Sequence, residues 1–142
     1  MGLDQYLTRK TYVTFEQRKN LHIDIEGVDS SKISYIEEEV GYWRKANQIH
    51  RWFAEKVQDG VDDCGTYNVS KEQLKELLDL AKEVQANPEL AKKELPRASG
   101  FFFGSTEYDE YYLSDINDTI AILTPILERE KDWGCYYYRA SW

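Results

Sequence analysis

The sequence is poor in cysteine and proline, and it contains no long apolar run. Only 2 Cys are present, Cys64 and Cys135, and no apolar signal-peptide core occurs within residues 1–10. Free thiols and a cytoplasmic location are therefore expected. Because no apolar run approaches the ~20 residues of a membrane-spanning helix, no membrane partner is expected either.

An excess of positive charge is also missing. The chain carries 18 Lys and Arg against 26 Asp and Glu, a formal net charge of -8. Duplex nucleic acid is bound by clustered Lys and Arg that displace counterions, so a duplex partner is not expected. No glycine-rich phosphate loop, catalytic triad or set of metal ligands can be recognised, so we predict no cofactor, assign no catalytic residue and favour a binding protein over an enzyme.

Aromatic residues, in contrast, are abundant. The 142 residues are 42% hydrophobic and 14% aromatic, with 4 Trp and 11 Tyr. This length is sufficient for one domain, residues 1–142, with its own hydrophobic core. Trp and Tyr combine an apolar body with a polar edge, which suits stacking pockets and interfaces.

Hydrophobic periodicity predicts an α+β fold. The predicted elements are, in chain order, strands over 3–13, 21–26 and 33–40, helices over 42–58, from Ser70 and from Thr106 or Ser114, and a strand over 133–142. The helix from Ser70 is marked by a capping box that Gln73 completes. We therefore predict a small, mostly antiparallel sheet, built from N-terminal strands and a C-terminal strand, packed with about three helices.

The first predicted helix brings basic residues together in an acidic protein. Arg44, Lys45 and Arg51 occur within eight residues, and a helical wheel places Trp52 among the polar positions. An exposed Trp beside Arg and Lys is a platform for a planar or phosphorylated ligand. The alternative is that residues 37–39, all Glu, neutralise these bases and that a loop covers Trp52.

His50 shares the apolar face of the same helix with Trp43 and follows Asn47 by one turn. It is either a core histidine bonded to backbone or to a tyrosine, or an acid–base group. The loop after this helix contains three acids, including Asp62 and Asp63, whose oxygens suit Mg²⁺ or Ca²⁺. The spacing matches no EF-hand, so a solvated turn is the other interpretation.

Residues 100–112 contain three consecutive Phe between two Gly, followed by an acidic, Tyr-rich stretch. The Phe side chains either fill the core or line a binding surface, with Phe102 on the side opposite its neighbours. Ser105 and Thr106 offer donors at a predicted helix start, where anions bind.

No Lys or Arg occurs between residues 98 and 127, where the chain is most negative. The acids of this stretch are Glu107, Asp109, Glu110, Asp115 and Asp118. Acids early in a helix stabilise its dipole. They could also form an anionic surface that docks a basic partner by mimicking nucleic-acid phosphates.

Four stretches of the chain resemble a family of small proteins from phages and prophages. They are residues 41–50 (GYWRKANQIH), 59–64 (DGVDDC), 100–112 (GFFFGSTEYDEYY) and 136–142 (YYYRASW), and the opening MGLD is similar too. The resemblance covers most of the chain except residues 14–31. It implies a bacterial host's cytoplasm but no activity, since none is established for that family. Small phage accessory proteins often act by binding, which is an analogy only.

We therefore predict a non-enzymatic phage accessory protein that engages a host factor or sequesters a small nucleotide-like ligand, for example against host defence. The alternatives are a metal-assisted hydrolase using Asp62, Asp63 and His50, and the acidic mimic. A homo-oligomer closed by the terminal strand and the aromatic loop is also considered. The predicted ligand-binding residues are Trp43, Arg44, Asn47, His50, Trp52, Phe102, Ser105, Thr106, Tyr108 and Asp109.

Overall fold

The computed structural model describes residues 2–100 and 103–142 of the chain. Its four strands form one antiparallel sheet in the order β2-β1-β4-β3. The strands are β1 (Asp4–Tyr12), β2 (Tyr35–Arg44), β3 (Thr66–Val69) and β4 (Cys135–Ser141). The first and last long strands therefore pair in the middle of the sheet, and the predicted α+β class with an antiparallel sheet is confirmed.

Three longer helices and two short ones accompany this sheet in the described residues. They are α1 (Phe15–Asn20), α2 (Asn47–Lys56), α3 (Lys71–Ala86), α4 (Ala91–Glu94) and α5 (Glu110–Glu128). The capping box predicted at Ser70 is confirmed, because its side chain accepts a hydrogen bond from Gln73 N and the Gln73 side chain accepts one from Ser70 N. The two short helices raise the number above the three that we predicted.

The predicted strand over residues 21–26 is wrong. The segment is irregular and largely exposed, and it follows α1, which a Thr14–Gln17 capping box opens. Its apolar residues alternate with polar ones, but the segment does not pair with a described strand. β1 instead pairs directly with β2. The short edge strand β3 was not predicted. Period-two alternation alone therefore cannot distinguish a strand from an exposed extended loop.

The predicted helix start at Tyr42 is also wrong, because β2 continues to Arg44 and α2 begins at Asn47. Gly41, which precedes the predicted helix, lies within the strand, where an added Cβ would come 2.6 Å from Ile122 Cγ2. Glycine therefore permits the close approach of α5 to β2. The strand alternation buries Trp43 and leaves Arg44 exposed.

The hydrophobic core lies between one face of the sheet and helices α2, α3 and α5. Its fully buried large side chains include Leu3, Leu7, Ile49, Phe53, Leu74, Leu77, Tyr112, Ile116, Leu123 and Tyr138. The rings of Phe53 and Tyr138 stack with centroids 3.8 Å apart. This contact joins α2 to the central strand β4 and fixes the position from which α2 presents its polar residues.

A charged cluster is enclosed on another part of the sheet, and we call it the closed cluster: Arg9, Lys71, Asp132 and Tyr136. Arg9 donates from Nε and Nη2 to Asp132 Oδ1 at 2.9 and 2.7 Å. Lys71 Nζ lies 3.2 Å from Asp132 Oδ2, to which the Tyr136 hydroxyl also donates. Burial alone would raise the pKa of Asp132, but the hydrogen bonds from Tyr136 and Arg9 outweigh it and hold that pKa well below its ordinary value.

Within residues 2–100 and 103–142, no helix combines the length and the apolar character that crossing a membrane would require.

Candidate ligand-binding site

A small cavity collects positive charge where β2 ends beside the loop that precedes α5. It has a volume of about 270 Å³, and its lining includes Arg44, Lys45 and Arg97. Asp115 is the one acid in that lining. We call this cavity the basic pocket. Three cations around one cavity are unexpected in a chain of net charge -8, so this is the part of the structure with the most distinctive electrostatics.

The turn after β2 directs two of the cations toward the basic pocket. Lys45 has φ 56, a left-handed conformation that few residues other than glycine adopt. Its backbone N–H donates to Leu3 O at 2.7 Å, which anchors the turn to the start of β1. On the other side lies Gly104, with φ +86, where an added Cβ would be 3.2 Å from Lys45 Cβ. Strained residues of this kind are often found at binding sites.

Asn47 holds the loop wall of the basic pocket. Its buried amide donates to Phe103 O and to Ser105 O, each at 2.9 Å, and its carbonyl oxygen accepts from Ala98 N at 3.1 Å. The structure therefore brings two predicted residues, Asn47 and Ser105, together. Ser105 lines the cavity, whereas Asn47 lies behind the wall and positions it.

Arg97 is fixed from behind by Gln48, the second residue of α2. Gln48 Oε1 accepts from Arg97 Nη1 at 2.9 Å, and Arg97 Nε donates to Glu107 O at 3.0 Å. Sequence reasoning missed both Gln48 and Arg97. One signal could have identified Arg97: it is the last basic residue before residues 98–127, a stretch without Lys or Arg. The guanidinium therefore meets the cavity with its orientation already set.

Asp115 is the acid of the basic pocket, and its surroundings are unfavourable for charge. Its Oδ2 lies 3.4 Å from Gln48 Nε2 and 3.7 Å from Arg97 Nη1. Burial raises the pKa of Asp115 to about 6, and Gln48 and Arg97 oppose that rise only in part. The carboxylate is thus held, with its side chain 22% exposed, in a place where ionisation is costly.

His50 is a buried core residue rather than part of the basic pocket. Its Nδ1 lies 2.7 Å from the Tyr138 hydroxyl, and its Nε2 lies 2.8 Å from Asp62 Oδ1. An imidazole with its proton on Nε2 donates to Asp62 and accepts from the phenol. Since Tyr138 is fully buried, this chain of three groups fastens the loop after α2 to the core. The predicted hydrogen bond to a tyrosine is confirmed.

The acids of the alternative metal-assisted hydrolase have different hydrogen-bond partners. Asp62 bonds to His50, whereas Asp63 Oδ1 accepts from the Tyr67 hydroxyl at 2.7 Å and from Gly65 N at 3.0 Å. Among the residues that the structure describes, no group of three His, Cys, Asp or Glu side chains is placed to hold a metal ion. The geometry does not favour the metal-assisted hydrolase.

Of the two interpretations of Trp52, an exposed side chain is wrong and a covered side chain is confirmed. Its side chain is buried, and it lines a different cavity with Leu80, Leu95 and Pro96. Helix α3 and the residues after α4 thus cover the outer side of α2. The wheel failed because it included residues 42–46, which belong to β2 and its turn. The Trp52 Nε1 has no hydrogen-bond partner among the described residues.

Trp43 is likewise buried, and its Nε1 donates to Thr119 Oγ1 at 2.9 Å. It joins β2 to α5 and does not face a ligand. Phe102 lies outside the described residues. Its neighbour Phe103 is buried, with its ring centroid 5.3 Å from that of His50 and 6.0 Å from that of Trp142. Phe103 therefore fills the core.

The helix start predicted at Thr106 or Ser114 is wrong, since α5 begins at Glu110. Asp109 is its N-cap, and its carboxylate accepts from Tyr111 N at 3.1 Å and from the next backbone N–H at 3.2 Å. A carboxylate cap occupies the donors that would otherwise bind an anion. Anion binding at this helix start is therefore not supported.

The remaining predicted residues of this loop lie at its surface. Thr106 is exposed and is not among the described residues that line the basic pocket. The Tyr108 hydroxyl accepts from Arg97 N at 3.0 Å, and its ring centroid lies 5.1 Å from that of Tyr112. Tyr108 therefore helps to hold Arg97. Of the ten predicted ligand-binding residues, Arg44 and Ser105 line the pocket.

A larger cavity, of about 630 Å³, lies between α5 and β2. Its lining includes the apolar residues Ile122 and Pro125 and two cations, Arg129 and Arg9, of which Arg9 is bound to Asp132. None of the nine predicted residues that the structure describes is among those that line it. We assign the candidate site to the basic pocket because three cations and one acid of the described residues line it, whereas two cations and two acids line the larger cavity.

The acidic surface is smaller than the sequence suggested. Asp109 caps α5 and Asp115 faces the basic pocket, which leaves the exposed Glu107, Glu110 and Asp118 of the five acids. β4 is an inner strand, so it offers no free edge to a second copy. A homo-oligomer stays a prediction.

A scan against protein families, a search of curated proteins and a search of solved structures each found no match to this chain. The resemblance to phage proteins therefore stays an expectation, and the candidate site rests on geometry alone.

Proposed function

We propose that this protein is a non-enzymatic binding protein that captures a small, phosphorylated, nucleotide-like ligand in the basic pocket. The observation that carries the proposal is the convergence of Arg44, Lys45 and Arg97 on one cavity of about 270 Å³. In a chain of net charge -8, this local reversal of sign favours an anionic ligand.

Two of these cations are available to a phosphate. Arg44 and Lys45 are exposed, and neither forms an ion pair with any residue that the structure describes. A guanidinium forks onto phosphate oxygens through two parallel hydrogen bonds, and an ammonium adds a point charge. The hydroxyls of Ser105 and Ser114, which also line the cavity, add neutral donors.

The same cavity offers a surface for a planar group. Tyr111 lies in the first turn of α5, lines the basic pocket and is 70% exposed. Nucleobases stack on aromatic side chains of this kind. A phosphate site beside an exposed aromatic ring supports a nucleotide-like ligand over inorganic phosphate.

The polar groups around the cavity support binding rather than catalysis. Among the described residues that line it there is neither histidine nor cysteine, and His50 is enclosed by Tyr138 and Asp62. The role that we propose is therefore sequestration of the ligand. A phage accessory role, against a host factor or a host signal, is supported by the resemblance of the sequence motifs and by nothing further.

Calorimetric titration with the 5′-monophosphates of adenosine, guanosine, cytidine and uridine tests this proposal. We expect at least one of them to bind, and Arg44→Ala to weaken that binding by about 10- to 100-fold, since a hydrogen bond to a charged group contributes about 1.5–3 kcal/mol. Arg18→Ala, the same change in α1 outside the pocket, keeps the affinity of the native protein. If none of the four nucleotides binds, or if Arg44→Ala binds as tightly as the native chain, the proposal is wrong.

A further inference from the structure

Asp115 is unexpected in a pocket that binds phosphate. A carboxylate near Arg44 and Lys45 repels a phosphate group and reduces the positive potential of the cavity. A site that selected for phosphate alone would be stronger without it. The acid therefore indicates that another part of the ligand carries hydrogen-bond donors.

Pairing with Arg97 does not account for Asp115. The distance from Arg97 Nη1 to Asp115 Oδ2 is 3.7 Å, whereas Arg9 approaches Asp132 at 2.7 Å. A distance of 3.7 Å is too long for a hydrogen bond. Asp115 Oδ1 forms no hydrogen bond with any residue that the structure describes, so the carboxylate has acceptor capacity left for a ligand.

Arg97 keeps donor capacity next to this acceptor. Its Nε and Nη1 donate to Glu107 O and to Gln48 Oε1, while its Nη2 has no hydrogen bond within the described part of the chain. The basic pocket thus presents a carboxylate acceptor beside a guanidinium donor. Gln48, which contacts both side chains, fixes their relative position.

Each common nucleobase can offer one donor and one acceptor to that pair, but guanine alone offers two adjacent donors to the two carboxylate oxygens. The edge of guanine presents O6 as an acceptor and then N1–H and the 2-amino group as adjacent donors, which a carboxylate accepts in parallel. Adenine and cytosine present a single amino donor beside a ring acceptor. The imino group of uracil is flanked by two carbonyl oxygens. We infer that the ligand is a guanine nucleotide, with Asp115 binding N1–H and the 2-amino group and Arg97 donating to O6; this inference rests on the proposed function.

The positions of the lining residues suit this arrangement. Tyr111 and Asp115 are four residues apart on α5, so their side chains lie on the same face of the helix. A base stacked on Tyr111 can point its hydrogen-bonding edge toward Asp115 and its phosphate toward Arg44 at the end of β2. The volume of about 270 Å³ lies just below the range of sites for drug-sized ligands, which favours a mononucleotide over a dinucleotide.

Titration with guanosine, inosine and adenosine 5′-monophosphates at pH 8 tests the inference. Inosine monophosphate keeps O6 and N1–H but lacks the 2-amino group, so it loses one hydrogen bond to a charged group. We therefore expect it to bind about 10- to 100-fold more weakly than guanosine monophosphate. Asp115→Asn reduces that preference to less than about 3-fold, because an amide oxygen is uncharged and its NH₂ opposes a donor. Asp79→Asn, the same change on the exposed surface of α3 outside the pocket, keeps the guanosine preference.

The outcomes separate this inference from the proposed function. Equal binding of the three nucleotides, weakened alike by Arg44→Ala, overturns the guanine inference and leaves the proposed function in place. A guanosine preference that survives Asp115→Asn overturns the role of Asp115. If no nucleotide binds, both the inference and the proposed function fail.

Discussion

The closed cluster and the basic pocket use the same residue types in opposite ways. In the closed cluster, Asp132 is 3% exposed and accepts hydrogen bonds from Arg9, Tyr136 and Gly134 while Lys71 lies beside it. In the basic pocket, Arg44 and Lys45 have no ion-pair partner among the described residues. Removal of one partner from an enclosed pair leaves the other charge buried and uncompensated, so the fold depends on the closed cluster. Exposed and unpaired charges are instead available to a ligand.

The two carboxyl groups at their centres show the difference in their pKa values. Burial by itself would raise the pKa of Asp132 and the pKa of Asp115. Hydrogen bonds outweigh burial at Asp132 and lower its pKa, whereas burial prevails at Asp115 and raises its pKa to about 6. The fold therefore gains stability from one acid at neutral pH and loses stability to the other.

The largest expected effect is from Asp132→Asn, which leaves the buried Arg9 with the half-exposed Glu38 as its remaining carboxylate partner among the described residues. We expect the free energy of unfolding to fall by about 3–5 kcal/mol, as for other broken buried pairs. Chemical denaturation followed by tryptophan fluorescence measures it. Glu38→Gln alters the half-exposed partner of the same Arg9 and should lower stability by less than about 1 kcal/mol. Equal effects of the two changes would contradict the description of the cluster as closed.

Asn47→Ala tests whether the hydrogen bonds of the buried Asn47 side chain hold the loop wall of the basic pocket in place. The change removes the partners of Phe103 O, Ser105 O and Ala98 N, so we expect a loss of about 2–3 kcal/mol in the free energy of unfolding. Nucleotide binding should weaken with it, because the loop loses its fixed position. Asn117→Ala, an exposed change on α5, is the control and should alter stability by less than about 0.5 kcal/mol.

Asp115→Asn tests the cost of the pocket acid through its pH dependence. With a pKa of about 6 in the folded state and 3.8 as the ordinary value, the native protein loses stability as pH rises from 4 through 6. The variant has no such group, so we expect it to be about 1–2 kcal/mol more stable than the native chain at pH 8 and nearly equal to it at pH 4. Denaturation at both values measures this.

Asp79→Asn, on the exposed surface of α3, should show no such difference between pH 4 and pH 8. A variant Asp115→Asn that is less stable than the native chain at pH 8 would mean that the acid stabilises the fold, which removes the contrast with Asp132.

The smallest expected effect comes from Lys45, whose left-handed backbone disfavours a side chain. Lys45→Gly should raise the free energy of unfolding by about 0.5–1 kcal/mol, since glycine adopts φ > 0 without strain. It should also weaken nucleotide binding several-fold by removing the ammonium group. Lys45→Ala keeps the backbone strain of a side chain at positive φ. It should therefore weaken nucleotide binding as much as Lys45→Gly does, but without raising the free energy of unfolding. If neither change affects binding, Lys45 has no part in the site.

The parts of the fold that could be predicted are those with local signals. The capping box at Ser70 and the run of three Tyr in β4 are each contained in a few consecutive residues of the sequence. Both predictions are confirmed. The boundary between β2 and α2 could not be predicted, because Gly41 is required by Ile122, which is distant in sequence. That error moved Trp52 to the wrong face of α2.

The candidate site could be predicted only in part for the same reason. Arg44 was selected for its charge and Ser105 as a donor at a predicted helix start, and both line the basic pocket. Gln48, Arg97 and Asp115 were missed as a group, because their contacts span 49 and 67 positions of the chain. Hydrogen bonds of that sequence separation leave no local pattern.

The most direct test of the central claim, that the open group of charges is the binding site, is a map of backbone amide chemical shifts during titration with guanosine 5′-monophosphate. We expect the largest changes on Arg44, Lys45, Gly104, Ser105 and Tyr111, while Arg9 and Asp132 stay unchanged. Changes concentrated on Ile122 and Ile126, in the larger cavity between α5 and β2, would contradict it, as would a spectrum that does not change at all.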